Sequence, residues 1–299
     1  MTTSSMQQSL PLQTELVRRA RQRRFWHVVR YLFLVGSGLM FAFPLFWTVS
    51  SSLQTWQELR SFEPHLLPSV PQWTNYADVF AAVPYARWLG NSFLIVAITI
   101  PGTVLTATFT AYAFARFDFH GRDLWFILML STMMIPRVVT FIPQYLLFFK
   151  IGLINTYIPL TIGAWLGGGA FMIFLLRQFI MSIPRDLDEA ALMDGASPFR
   201  ILFSIITPLM KPALTTVAIL TFLGDWNDFF GPFIYLNKPA LFTAAVGLRT
   251  FQYIPLETTD PRDHLLMAAA AIMTIPMIVL FIGAQRYFIS GVVLTGLKL

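Results

Sequence analysis

The chain has no cysteine, so disulfides and thiolate metal sites are excluded and redox compartment leaves no mark on it. Charge is scarce as well. Asp, Glu, Lys and Arg make up 12% of the residues, where a soluble globular domain carries about 25%. The four histidines, His27, His65, His120 and His264, are scattered and lack metal-ligand spacing. No GxxxxGK[S/T] phosphate loop occurs, so ATP finds no cradle of that kind. There is no tandem repeat and no clustered catalytic set, and no cofactor is expected. Acidic residues are almost missing from the apolar runs, with Asp225 and Asp228 at the outer end of one run as exceptions. That shortage argues against an ion-coupled secondary transporter, which needs intramembrane carboxylates.

What remains is apolar: 56% of the residues are hydrophobic. Runs of about 20 residues, long enough to span lipid, recur six times, at Val28–Ser51, Trp88–Ala115, Leu124–Phe149, Ile158–Phe179, Ile201–Leu223 and Leu265–Tyr287. Only helices and closed barrels satisfy their backbone in lipid, and runs this long mean helices. The expected fold class is an all-α membrane protein with six transmembrane helices. With the N-terminus inside, 14 of the 21 Lys and Arg residues fall on inner segments and seven on outer ones, which places both termini in the cytoplasm. The basic run Arg18 to Arg24 then reads as a topology anchor on anionic lipid. No recognition motif accompanies it, so no nucleic acid is expected as a partner. The first apolar run starts late, is too long for a signal peptide and has no small-x-small site after it.

The chain divides into a polar cytoplasmic tail (1–24), a first span with an outer loop (25–87), a core transmembrane domain (88–287) and a short cytoplasmic tail (288–299). The outer loop holds Pro64, Pro68, Pro71 and Pro84 with Trp56, Trp73, Tyr76 and Tyr85, and should fold against the headgroup zone. Small and hydroxyl residues crowd the second span (Thr99, Gly102, Thr103, Thr106) and the fourth (Gly163, Gly167, Gly168, Gly169), as close helix packing requires. Pro101, Pro136, Pro143 and Pro276 are expected to kink or break their helices. Arg137, beside Pro136, is either an intramembrane functional charge or a snorkelling one.

The most informative stretch is the charged island Pro184 to Pro212. Asp186 is placed to N-cap a short helix, with Glu189 reaching back as in a capping box. Ala190, Ala191, Leu192 and Met193 favour helix, and Gly195 supplies a left-handed stop after Asp194. Ser197 caps again, with Pro198 at the first position of a second helix. Asp186, Asp188 and Glu189 read as solvated helix-end charges rather than an acid/base site. A second cluster, Gly224 to Pro232, sets Trp226, Asn227 and Asp228 at the outer end of the fifth span. A flat aromatic face with amide and carboxylate neighbours suits a sugar, and equally an interfacial anchor.

Glu189-Ala190-Ala191, Asp194-Gly195-Ala196, Ile206, Pro208 and Pro212 resemble the EAA loop of ABC-importer permeases. Leu67-Pro68 with Trp73-Thr74-Asn75-Tyr76, the Trp226-Asn227-Asp228 cluster, Thr243 with Val246-Gly247-Leu248, and Gln285-Arg286-Tyr287-Phe288 with Gly291 resemble the carbohydrate, maltose-type branch. The tail from Val292 to Leu299 departs from that branch's Gly-rich ending. The resemblance implies a type I importer permease in the inner membrane whose 184–200 loop is a cytoplasmic coupling helix. It further implies a second related permease, two ATP-binding cassette subunits and an extracytoplasmic solute-binding protein, with no catalysis by this chain. A sugar is the expected solute. Glycerol phosphate, a polyol, an amino acid or a peptide remains open.

Overall fold

The structure, a computed structural model, describes residues 9–63, 65–252 and 262–296, with the backbone alone at 9–21, 137 and 286–296. Among these residues there are only helices and connections. The chain opens with α1 (Ser9–Ser52), the short α2 (Trp56–Leu59) and α3 (Thr74–Ala82), then the 32-residue α4 (Tyr85–Arg116). After it come α5 (Arg122–Ser131), α6 (Arg137–Lys150), α7 (Ile158–Trp165) and α8 (Ala170–Ser182). The charged island folds as α9 (Asp186–Met193), α10 (Pro198–Ile201), a π-helical turn at Leu202–Ile206 and α11 (Thr207–Leu209). The last part is α12 (Lys211–Trp226), α13 (Phe230–Tyr235), α14 (Ala244–Gln252) and α15 (Asp263–Gly296).

Among the described residues, four segments are long and apolar enough to cross a membrane: Gln22–Ser52, Tyr85–Arg116, Ile158–Ser182 and Asp263–Gln285. The two other expected spans are bent. Arg122–Met134 turns by 97° into Val138–Lys150, and Pro198–Leu209 turns by 79° into Lys211–Trp226. The first break has a clear cause, because Pro136 lacks the N–H that a continuing helix would use. Pro101, Pro143 and Pro276 sit inside helices that continue past them, so they do not break their helices. The side chain of Arg137 lies outside the described residues. Helix α1 begins at Ser9, so the polar tail and the first span are one helix over the described part, and α15 likewise runs past Tyr287.

The core lies in two clusters, and α4 belongs to both. Toward Arg116, Ala107, Ala111 and Ala115 pack on Ile173, Leu176 and Ile180 of α8 and on Ile201, Leu202 and Ile206. Toward Tyr85, Trp88 and Val96 pack with Phe222, Trp226, Phe251, Ala268 and Met273. Small residues permit this closeness. A Cβ on Gly102 would come within 2.8 Å of the Trp165 ring, and one on Gly247 within 2.2 Å of Trp88. Thr106 also donates to the Ala164 carbonyl at 2.8 Å, tying α4 to α7.

The loop between α1 and α4 is folded. Thr55 and Glu58 form a capping box, and Glu58 also accepts from the Ser69 amide at 3.0 Å. Those donors hold the Glu58 carboxyl down to about 2. Asn75 is buried, and its amide donates to the carbonyls of Ser52 and Gln54, both at 2.9 Å.

Candidate functional site

Helix α9 is built much as its composition dictates, with one shift at its start. The Arg185 carbonyl accepts the amides of Asp188 and Glu189, so Arg185 holds the N-cap position and Asp186 is the first helical residue. No side-chain cap bond forms there, and the expected Asp186–Glu189 capping box is absent. The acidic first turn still complements the helix dipole. At the other end Gly195 takes φ +77°, its amide donating to Leu192 and that of Ala196 to Ala191, a full Schellman motif beyond Asp194. Ser197 then accepts from the Arg200 amide, with Pro198 at the first position of α10.

The two faces of α9 differ. Ala191 is buried in the core cluster around α4 and α8. Leu187, Leu192 and Met193 are exposed, Met193 by 88%, as are Asp186, Glu189, Ala190, Asp194 and Gly195; Phe199 on α10 extends the exposed apolar surface. Asp188 is not the solvated charge its neighbours are. Its Oδ2 lies 2.5 Å from Arg116 Nε, with only 13% and 6% of the two side chains exposed. The contact meets ion-pair distance but lacks hydrogen-bond alignment, so its strength is coulombic. Burial pushes the Asp188 carboxyl up, while Arg116 and Arg185 oppose that rise. Arg116 also donates to the Ile183 carbonyl at 3.0 Å, Arg185 to Ala115 at 3.3 Å and Tyr112 to Pro198 at 3.3 Å.

Sequence reasoning missed this pairing. Nothing local to Arg116 announces a partner as far along the chain as Asp188.

The second cluster stands where α12 ends, at Trp226. Asp225 accepts from Thr99 of α4, about 21 Å along that helix from Tyr85 at an α-helical rise of about 1.5 Å per residue. Trp226 is 1% exposed, stacks on Phe222 at 5.4 Å, contacts Phe93 at 4.7 Å and donates to the Met273 carbonyl at 3.1 Å. Within this chain the indole therefore presents no free face to a solute. Asn227 is exposed and donates to Leu223, and Asp228 accepts from the Gly231 amide. The exposed polar surface here thus belongs to Asn227, flanked by the partly exposed Asp225 and Asp228.

Residues 14–293 match the family described as binding-protein-dependent transport system inner membrane component. The chain belongs to this family. Among its members the chain is 35% identical to an arabinooligosaccharide transport permease of Halalkalibacterium halodurans, over 86% of this chain and 91% of that one. It is 36% identical to a galactooligosaccharide transport permease of Bacillus subtilis (90% and 94% of the two chains). An sn-glycerol-3-phosphate transport permease of Brucella abortus matches at 30%, over 92% and 98%. The fold is that of a bacterial ABC transporter involved in import of the acidic polysaccharide alginate, with a TM-score of 0.79, 24% identity and coverage of 90% and 98%. As a member of the family, this multi-pass chain is a transport permease subunit of an ABC importer, and such importers work with an ATPase and a solute-binding protein.

Proposed function

We propose that this permease carries a carbohydrate, most simply an oligosaccharide, through an ATP-driven importer. In this reading it has six spans with both termini in the cytoplasm, and it pairs with a second, related permease. Two ATP-binding cassette subunits hydrolyse ATP, and an extracytoplasmic binding protein delivers the sugar. The observation that carries the proposal is α9: a short helix fixed to the bundle by one face, with Leu187, Leu192 and Met193 exposed on the rest. Isolated exposed apolar residues need no explanation, but three on one eight-residue helix with an acidic first turn suit docking into another protein's groove. The coupling residues are Asp186, Glu189, Ala190, Ala191, Asp194, Gly195, Ser197 and Pro198. Ala191 holds the helix on its seat, and Gly195 and Ser197 shape its exit.

Closure of the ATPase dimer would move α9 and shift the permease between its two states. A ligand moves such an equilibrium only by its differential affinity, so tight seating of α9 in one state is what the mechanism requires. For the solute path we propose Asn227 and Asp228 as polar contacts, with Trp226 fixing the backbone behind them. Relatives that carry two different sugars at 35% and 36% identity support the carbohydrate reading, and the 30% glycerol-phosphate relative marks the rival solute.

The test is reconstituted uptake by the full transporter with its cognate binding protein, comparing arabino- and galactooligosaccharides with sn-glycerol 3-phosphate. Uptake of the phosphate ester alone would replace the sugar assignment. Glu189→Lys and Gly195→Pro should insert normally yet abolish uptake. Normal uptake with wild-type ATPase recovery in both would remove α9 from the coupling role.

A further inference from the structure

Two routes lead from α9 into the membrane region, and they differ in stiffness. The route along the chain passes a Schellman turn, four residues of α10, a π-helical turn and a 79° bend at Met210 before reaching α12. Each break is a place where motion can be absorbed. The second route leaves the chain at Asp188. It crosses the ion pair to Arg116 and enters the last turn of α4, an unbroken 32-residue helix.

Both ends of that helix are fastened. At the Arg116 end, bonds to α9's surroundings fall on either side of it, Arg116 to Ile183 ahead and Tyr112 to Pro198 behind, with Arg185 capping the Ala115 carbonyl. At the Tyr85 end, Trp88 donates to Pro239 at 2.7 Å, Asn91 donates to Ala240 and Phe242, and Ser92 accepts from the Ala244 amide at 2.9 Å. Midway, Thr99 donates to Asp225. One helix thus touches α9, the polar cluster at the end of α12 and the 239–244 segment.

We infer that Arg116 and Asp188 are positioning residues of the transport cycle: their buried ion pair is the strut that makes α4, rather than the chain-continuous α10–α12 segment, the rod carrying movement of α9 to the 239–244 segment. This rests on the proposed coupling role of α9. Burial is what makes the pair a strut. Separating two desolvated charges is expensive, and removing one leaves the other uncompensated, so the pair travels as a unit. A solvent-exposed pair such as Arg60–Asp263, 48% and 38% exposed, would hold little.

The test uses the complete transporter in proteoliposomes: this chain, its partner permease, the ATPase subunits and the binding protein. Asp188→Asn, Arg116→Gln and the reversal Arg116→Asp with Asp188→Arg are compared for ATPase co-purification, basal ATPase rate, its stimulation by loaded binding protein, and uptake. The single variants should co-purify the ATPase yet lose stimulation and uptake by about tenfold or more, the equivalent of about 1.4 kcal/mol in a barrier. The reversal should recover most of both. Uptake within about twofold of wild type in the singles overturns the strut, since tenfold is the smallest effect a severed link should give. A reversal no better than the singles also overturns it, because charge complementarity is then not what matters. So does loss of ATPase co-purification in the singles that the reversal does not cure. Met193→Glu, on the exposed face of α9, is run beside them. Wild-type docking and uptake there would count against α9 as the docking helix, a failure separate from that of the strut.

Discussion

An indole with 1% of its surface exposed and its one N–H on a carbonyl has neither a spare face nor a spare donor for a sugar. Trp226 is therefore a packing residue, and in the proposed path the polar contacts fall to Asn227 and Asp228. Trp226→Ala should destabilise the purified complex by about 3–5 kcal/mol, the usual range for emptying such a site. Trp226→Phe removes only the bond to Met273 and some area, so a loss nearer about 0.5–1.5 kcal/mol is expected from the bond. Thermal unfolding checks both, and uptake per folded complex should hold steady in Trp226→Phe. Asn227→Leu should show the opposite pattern, stability kept and uptake slowed by up to about tenfold, the weight of one hydrogen bond in a limiting step. Unchanged uptake in Asn227→Leu would take Asn227 off the path. Gly247 gives a similar lesson. The sequence offered it only as part of a family resemblance, whereas the fold supplies the reason, a Trp88 ring where a Cβ would sit.

Among the elements, those whose signals are local were legible and those held by distant partners were not. The Ser197 cap with Pro198 behind it, the left-handed Gly195 and the spans at α4 and α15 all follow from residues within a few positions of each other. The N-cap moved from Asp186 to Arg185, whose guanidinium reaches the Ala115 carbonyl and whose own carbonyl closes the first turn. The bend near Met210 and the pairing of Asp225 with Thr99 also depend on how α12 meets α4, which no window of sequence contains. The folded loop after α1 is a locally coded element that can be tested by pH. Glu58 titrates at about 2 in the fold because the Thr55 and Ser69 donors stabilise its charge, against 4.5 for an unperturbed carboxyl. A carboxyl with a depressed folded value contributes stability that is complete above the unfolded value and lost as pH falls through the folded one. The loop should therefore loosen between 4.5 and about 2, read as rising protease cleavage within 55–72 in sealed proteoliposomes. Glu58→Gln should abolish the pH dependence in that window while leaving the loop less protected at neutral pH. An acid transition unchanged by Glu58→Gln would assign it to other groups.

For the whole molecule, orientation decides whether the parts make a transporter. In the proposed orientation, with the excess of Lys and Arg inside, α9 and the Arg116 end of α4 face the cytoplasm and the α1–α4 loop faces outward. The internal geometry is consistent with a single arrangement. Helix α4 carries the α9 contacts at one end and the 239–244 contacts at the other. Labelling one end therefore fixes both. The chain has no cysteine, so single introduced cysteines have no background. A thiol at Ser197, beside the Schellman turn, should be silent to an impermeant reagent added to intact cells and should react once the membrane is opened. One at Gln72, whose amide donates to Leu53 at the end of α1, should react from outside in intact cells. The α4 geometry adds a third site that charge counting does not supply. Lys238→Cys, exposed next to the Pro239 carbonyl that Trp88 holds, should label from outside together with Gln72, because the rod puts it opposite α9. Labelling of Ser197 and Lys238 from the same side would mean that α4 does not cross the bilayer between them. That result would undo both the coupling role of α9 and the rod that serves it.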